Sequence, residues 1–124
     1  MRNKIKILLV EDEAIVAKYL SMELMLEGYD VCSDVSTGEE AIQKALEYDP
    51  DLILMDINLI GEMDGIEAAN KILNHKQIPI IFMTGYSKME ITDRARKINP
   101  IGYFNKPVEV EMLKPLLDKM FVTS

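Results

Sequence analysis

The sequence of 124 residues predicts an α/β protein, a doubly wound parallel sheet of five strands alternating with five helices. Three observations predict it. Apolar runs at 5–10 (IKILLV), 52–55 (LILM), 78–83 (IPIIFM) and 101–104 (IGYF) each lead directly into a polar or charged group, as strands buried on both faces do at their ends. Segments with helical spacing separate these runs, and right-handed crossovers between such units build one parallel sheet. No internal repeat, low-complexity segment or linker interrupts the alternation.

The first strand runs into Glu11 and Asp12. The stretch 14–27 carries Val16, Leu20 and Leu24 at helical spacing, with Ile15 and Tyr19 beside them, and predicts one buried stripe ended by Gly28. Residues 31–35 alternate, with Val31, Ser33 and Val35 on one side and Cys32 and Asp34 on the other, as in a half-exposed edge strand. Thr37 with Glu40 forms a capping box that opens a helix through Tyr48, with Ala41, Ile42, Ala45 and Leu46 as its apolar positions. Asp49-Pro50 closes it.

The central run, LILMDIN, places Asp56 where a buried strand leaves the core, with Asn58 just beyond. Asp64 and Glu67 open a helix to about Asn74, and the fourth run ends in Thr84. Ser87 and Glu90 open another helix to about Ile98, stopped by Asn99-Pro100. The fifth run ends in Asn105 and Lys106, and the last helix covers 109–121 with Leu113, Leu116, Leu117 and Met120 inward. Pro115 requires that this helix start late or bend, because a proline past the first turn costs about 3 kcal/mol.

A chain of this length buries roughly two-thirds of its unfolded surface as one domain. No apolar run approaches membrane-spanning length and no signal peptide opens the sequence, which predicts a cytoplasmic address. The single cysteine, Cys32, excludes an internal disulfide framework and is expected as a small core residue. A formal net charge of −7 argues against direct contact with nucleic acid or an anionic membrane and suits a divalent cation. Met22, Met112 and Met120, on apolar positions, are expected to fill gaps in the core.

In a parallel sheet the polar groups at the strand ends share one rim, where ligands bind. Glu11, Asp12 and Asp56 then form an oxygen-only cluster that suits Mg²⁺ better than zinc, which would call for His or Cys. His75, the one histidine, lies in a polar loop. Lys106 brings a positive charge and Thr84 a hydroxyl to the same rim, so a phosphoryl group has both charge neutralisation and a hydrogen-bond donor. Asp56 supplies the nucleophile of an aspartyl phosphate.

The acidic pair in VEDE, the LMD run, MTG and the KP pair, in this order and in these elements, resemble the receiver domain of two-component response regulators across essentially the whole chain. The resemblance implies the strand order 2-1-3-4-5 of the flavodoxin-like and CheY-like folds. It implies Asp56 as phosphoacceptor, Asp12 and Asp56 as Mg²⁺ ligands, Glu11 acting through water, and the backbone carbonyl of Asn58 as a further ligand. Thr84 and Lys106 would contact the phosphoryl oxygens, Thr84 and Tyr103 would form the conformational switch, and Lys106-Pro107 would be cis. Asn58 and Tyr86 occupy the positions that tune dephosphorylation, with Tyr86 bulky enough to shield the phosphoryl group. The partner implied is a sensor histidine kinase or phosphotransfer protein. The domain would catalyse its own phosphotransfer and slow autodephosphorylation without being a turnover enzyme.

One departure stands out. The loop LIGEMDG lacks the family's proline and puts Gly65 nine residues past Asp56, where the usual spacing is eight. Residues 1–124 are expected to form one receiver domain, either a regulator by itself or the receiver of a longer protein with an unknown output. Mixed charges, Arg94, Arg96 and Lys97 against Glu109, Glu111 and Asp118, suggest a homodimer through the fourth helix, fifth strand and fifth helix. Three rival readings stand beside this one. A flavodoxin-like FMN domain would need a phosphate-cradling loop where Glu11-Asp12-Glu13 lies. A haloacid-dehalogenase-type hydrolase would need an acid at Asn58. A receiver-shaped interaction module that is never phosphorylated is the third.

Overall fold

The computed structural model of the chain describes residues 4–85 and 93–121. Five parallel strands, β1 (Lys6–Val10), β2 (Asp30–Val35), β3 (Leu52–Asp56), β4 (Ile80–Thr84) and β5 (Gly102–Asn105), form one sheet in the order β2-β1-β3-β4-β5. The helices are α1 (Ala14–Leu26), α2 (Gly38–Tyr48), α3 (Gly65–Leu73), α4 (Asp93–Ile98) and α5 (Val110–Met120). The start signal at Ser87 and Glu90 lies outside the described residues.

Strand periodicity divides the apolar runs between two cores. Leu8, Val10, Ile53, Met55, Ile80 and Phe82 face one side, where Ala41 and Ala45 of α2, Ala68, Ala69 and Ile72 of α3, and Ala95 of α4 cover them. Ile7, Leu9, Leu52, Leu54, Ile81 and Met83 face the other, beneath Leu20 and Leu24 of α1 and Leu113 and Leu117 of α5. Burial of β1, β3 and β4 on both faces fixes the centre of the sheet, and with it the rim that carries the site.

Several expectations need correction. The register of β1 against β2 shifts between Ile7 and Leu8, so that Val31 pairs with Ile7 and Ser33 with Leu8. This bulge reverses the alternation of β2. Val31 packs toward α1 and α5, whereas Cys32 and Val35 pack on the opposite core. In α1 the buried positions are Ala17, Leu20 and Leu24, while Ile15 (86% exposed) and Tyr19 point outward. Met22 and Met112 are also exposed, and only Met120 of the three methionines packs against the core. In α2, Ala41 and Ala45 are buried, Ile42 is half-buried and Leu46 is exposed.

The helix starts follow the capping residues. Thr37 Oγ1 accepts from the Glu40 N–H at 3.2 Å, and Glu40 Oε1 accepts from the Ser36 N–H at 3.2 Å, one residue earlier than a closed capping box. Asp64 Oδ1 accepts from the Glu67 N–H at 2.8 Å. Asp49 and Asn99, each followed by proline, end their helices in the left-handed region, at φ 52° and 63°. Pro115 lies inside α5, whose cap is Glu109, so the helix does not start late. The Lys106–Pro107 peptide bond is cis.

Candidate phosphoryl and metal site

The carboxyl ends of β1, β3, β4 and β5 lie side by side, and the ladder continues one step past the strands. Glu11 N–H donates to the Val35 carbonyl (2.9 Å), Ile57 N–H to that of Met83 (2.9 Å) and Lys106 N–H to that of Thr84 (2.8 Å). These bonds hold the functional residues on the rigid edge of the sheet. An open cavity of about 400 Å³ there is lined by Asp12, Glu13, Asp56, Asn58, Gly85 and Lys106.

Asp56 is fully buried and Glu11 is 2% exposed. Lys106 reaches both: its Nζ lies 2.7 Å from Asp56 Oδ2 and donates to Glu11 Oε2 at 3.2 Å. Glu13 stands 3.8 Å from the same ammonium. Backbone amides also hold both carboxyl groups: Asp56 Oδ1 accepts from Asn58 N–H (3.0 Å), and Glu11 Oε2, already bonded to Lys106, accepts from Glu13 N–H (3.0 Å). Glu11 Oε1 is 2.9 Å from Lys106 Nζ, yet it is buried and meets no donor in hydrogen-bonding geometry.

Charge crowding sets the protonation of the cluster. Burial raises the Glu11 pKa to about 7 against the pull of the Glu13 N–H and of Lys106. Burial likewise pushes Asp56 up, only partly offset by Lys106. Lys106 is itself penalised by burial, but its bonds to Asp56 and Glu11 outweigh this and hold its pKa above the ordinary value. A single ammonium thus serves two buried carboxyl groups, an arrangement short of positive charge.

A divalent cation would supply that charge. Glu11, Asp12 and Asp56 each offer a carboxylate oxygen, all within 4.8 Å of one another. The donors are oxygen only, and the orphaned Glu11 Oε1 is a buried acceptor awaiting a partner, so the residues fit Mg²⁺. Asn58 lines the cavity beside them.

Thr84 is buried at the end of β4, opposite Asn105 of β5 and one residue before Gly85 of the cavity wall. Tyr103 is not in the cavity. It pairs with Phe82 across β4 and β5, and their rings stack at 6.1 Å between centroids with an interplanar angle of 25°. Tyr86 lies outside the described residues.

Two features were not read from the sequence. Gly65, noted there only for its spacing, abuts the end of β3: a Cβ on it would collide with the Asp56 carbonyl oxygen and lie 2.9 Å from its carbonyl carbon. Its N–H donates to the Ile57 carbonyl at 2.8 Å. A glycine directly after a helix cap was the available signal. Arg94 of α4 forms a two-pronged ion pair with Asp64, at 3.2 and 3.3 Å, and nothing in the local pattern announces it.

Comparison with known proteins agrees with this geometry. The family model described as the response regulator receiver domain matches residues 7–118. The transcriptional regulatory protein PdtaR of Mycobacterium tuberculosis is 33% identical over 113 residues, which are 91% of this chain and 55% of that protein. The chain therefore spans about half the length of that curated relative. The transcriptional regulatory protein ResD of Bacillus subtilis is 44% identical over 82 residues, 66% of this chain and 33% of its own. Among solved structures, the signal receiver domain of a modulated diguanylate cyclase from Desulfovibrio desulfuricans G20 superposes with a TM-score of 0.86 at 37% identity, covering 94% of this chain and 93% of that one.

Proposed function

The chain belongs to the response regulator receiver domain family, and from this premise we propose that it is a switch in which Asp56 accepts a phosphoryl group from a histidine kinase or phosphotransfer protein. The observation that carries the reading is the placement of Lys106 Nζ at 2.7 Å from Asp56 Oδ2, inside a cluster of three carboxylates.

In the proposed transfer an Asp56 oxygen attacks phosphorus, the P–O bond forms, and the P–N bond to the donor imidazole breaks, with the nitrogen keeping the electron pair. Lys106 moves its charge from the carboxylate to the phosphoryl oxygens. The Thr84 hydroxyl donates to one of them. The carboxylates of Glu11, Asp12 and Asp56, with the backbone carbonyl of Asn58, would hold Mg²⁺. Mg²⁺, when bound, supplies positive charge against the transferred oxygens and the acidic cluster. A flavin phosphate in the loop after β1 would instead meet the carboxylates of Glu11 and Asp12, so a phosphoryl-accepting role suits these residues better.

Tyr103, stacked on Phe82, is the proposed reporter of the switch, turning as Thr84 shifts toward the phosphoryl group. Slow autodephosphorylation, tuned by Asn58 and Tyr86, belongs to the same reading. So do a cytoplasmic site of action, an output domain or target protein, and a homodimer through α4, β5 and α5. Among the charges of that face, Arg94 and Arg96 are already paired within the chain, with Asp64 and Asp93. No helix among the described residues is long and apolar enough to cross a membrane.

The test is intact-mass measurement after incubation with Mg²⁺ and acetyl phosphate or phosphoramidate. One added phosphoryl is expected, absent in Asp56→Asn and in the presence of EDTA. A parent chain that stays unlabelled would return it to the class of unphosphorylated interaction modules.

A further inference from the structure

The loop between β3 and α3, one residue longer than the family's usual spacing and without its proline, makes a backbone contact to the acidic loop after β1. Ile60 N–H donates to Asp12 Oδ2 at 3.1 Å, joining the loop after β3 to the loop after β1. A proline has no N–H, so a proline at position 60 would remove this bond. The Ile60 side chain is 75% exposed, so it is the amide and not the side chain that the fold employs. Gly61 follows at φ +116°, a conformation unfavourable for other residues, and turns the chain immediately after the donor.

We infer that Ile60 is a positioning residue for the cation site: its amide holds one oxygen of Asp12, whose carboxylate offers an oxygen within 4.8 Å of those of Glu11 and Asp56. The inference rests on the Mg²⁺ reading above and deepens it. Asp12 is the only half-buried member of the carboxylate cluster, the other two being buried among strand ends, so it has the most rotational freedom to lose. Hydrogen bonds to metal-binding carboxylates orient them, and losing one typically weakens the metal by 10-fold or more. In this chain the loop after β3 thus supplies a hydrogen bond to a proposed ligand. Metal affinity is thereby linked to the conformation of the loop that leads into α3.

Two measurements on the whole chain test this. In metal-free protein, hydrogen exchange at the Ile60 amide is expected to be slow in the parent and fast in Asp12→Ala, and to stay slow when Mg²⁺ is added. Fast exchange in the parent, or protection lost on adding Mg²⁺, would overturn the inference without any variant having to fold. Titration with Mg²⁺ then compares Ile60→Pro, which loses the donor, with Ile60→Ala, which keeps it. About tenfold weaker binding is expected for proline and near-parental binding for alanine. Equal affinity in the two variants would assign the bond a purely structural role. Absence of Mg²⁺ binding by the parent would remove the metal reading itself, a failure distinct from that of the amide bond.

Discussion

Lys106 and Asp56, fifty residues apart in sequence, form a 2.7 Å ion pair in which the Asp56 side chain is almost fully buried and the Lys106 side chain is 18% exposed. The same ammonium serves Glu11, so its removal strands two carboxyl groups at once. Breaking one partner of a buried pair costs about 3–5 kcal/mol in closed interiors. Here both carboxyl groups have raised pKa values and escape part of the cost by protonating, and the site opens to solvent. Lys106→Ala is therefore expected to lose about 1–3 kcal/mol in EDTA at neutral pH. Mg²⁺ should restore most of the loss, as urea denaturation with and without the metal would show.

Gly65 allows the first turn of α3 to rest on the backbone of Asp56. Gly65→Ala places a methyl group against a main-chain carbonyl, not the end of a flexible side chain, so the strand end or the first turn of α3 must shift. A cost of about 1–3 kcal/mol is expected, as for other overpacked sites. Any shift of the strand end falls on Asp56, the proposed phosphoacceptor, so phosphorylation by acetyl phosphate should slow even in conditions where the variant is fully folded. A variant of parental stability and parental rate would show that the contact is readily relieved.

The sheet and its rim were legible because they depend on local features. Unbroken apolar runs ending in Asp56, Thr84 and Lys106 are visible in sequence, and parallel crossovers leave the ends nowhere to go but one edge. The packing of α1 was not legible. Its sequence, AIVAKYLSMELML, is apolar on nearly every side, so spacing could not choose Ala17 over Val16 or place Ile15 outside. The bulge in β2 was invisible because it is a relation to β1 and not a property of residues 30–35. Contacts such as Arg94 with Asp64, or Ile60 N–H with Asp12, depend on loops whose course no periodicity describes.

Asp64 has two tasks, and they can be separated. Its Oδ1 caps α3 through Glu67 N–H, and both oxygens receive the Arg94 guanidinium, which is itself largely exposed. Loss of an N-cap costs about 1 kcal/mol, whereas an exposed ion pair contributes between about 0 and 1 kcal/mol. Asp64→Ala should then destabilise by about 1–2 kcal/mol and Arg94→Ala by no more than about 0.5 kcal/mol. Asp64→Asn, which keeps a capping oxygen, should fall near Arg94→Ala in urea denaturation. Equal losses for Asp64→Ala and Arg94→Ala would mean that the ion pair outweighs the cap.

The acidic cluster also makes stability depend on pH, in a direction opposite to that of an ordinary paired carboxylate. Burial pushes the Glu11 carboxyl up to about 7 in the folded chain, against the ordinary 4.5 of the unfolded one. Between these values the folded chain holds a proton that the unfolded chain has released, so rising pH favours unfolding. The raised pKa of Asp56 acts in the same sense. Lys106, raised above its ordinary 10.5, contributes stability that is intact throughout this window and is lost only at higher pH. Glu40, held below its ordinary value by the Ser36 N–H, works the other way, its contribution fading as pH falls below about 4.5. Metal-free protein is therefore expected to lose stability from about pH 4.5 to pH 7, by up to roughly 3 kcal/mol at 1.36 kcal/mol per pKa unit. Glu11→Gln should flatten that slope, since the amide has no proton to release. Saturating Mg²⁺ should reverse it, because the cation binds the carboxylates that rising pH provides. Denaturation curves across this range in EDTA and in Mg²⁺ supply the comparison, and a parental slope surviving in Glu11→Gln would assign the effect to groups other than Glu11, with Asp56 the next within the cluster.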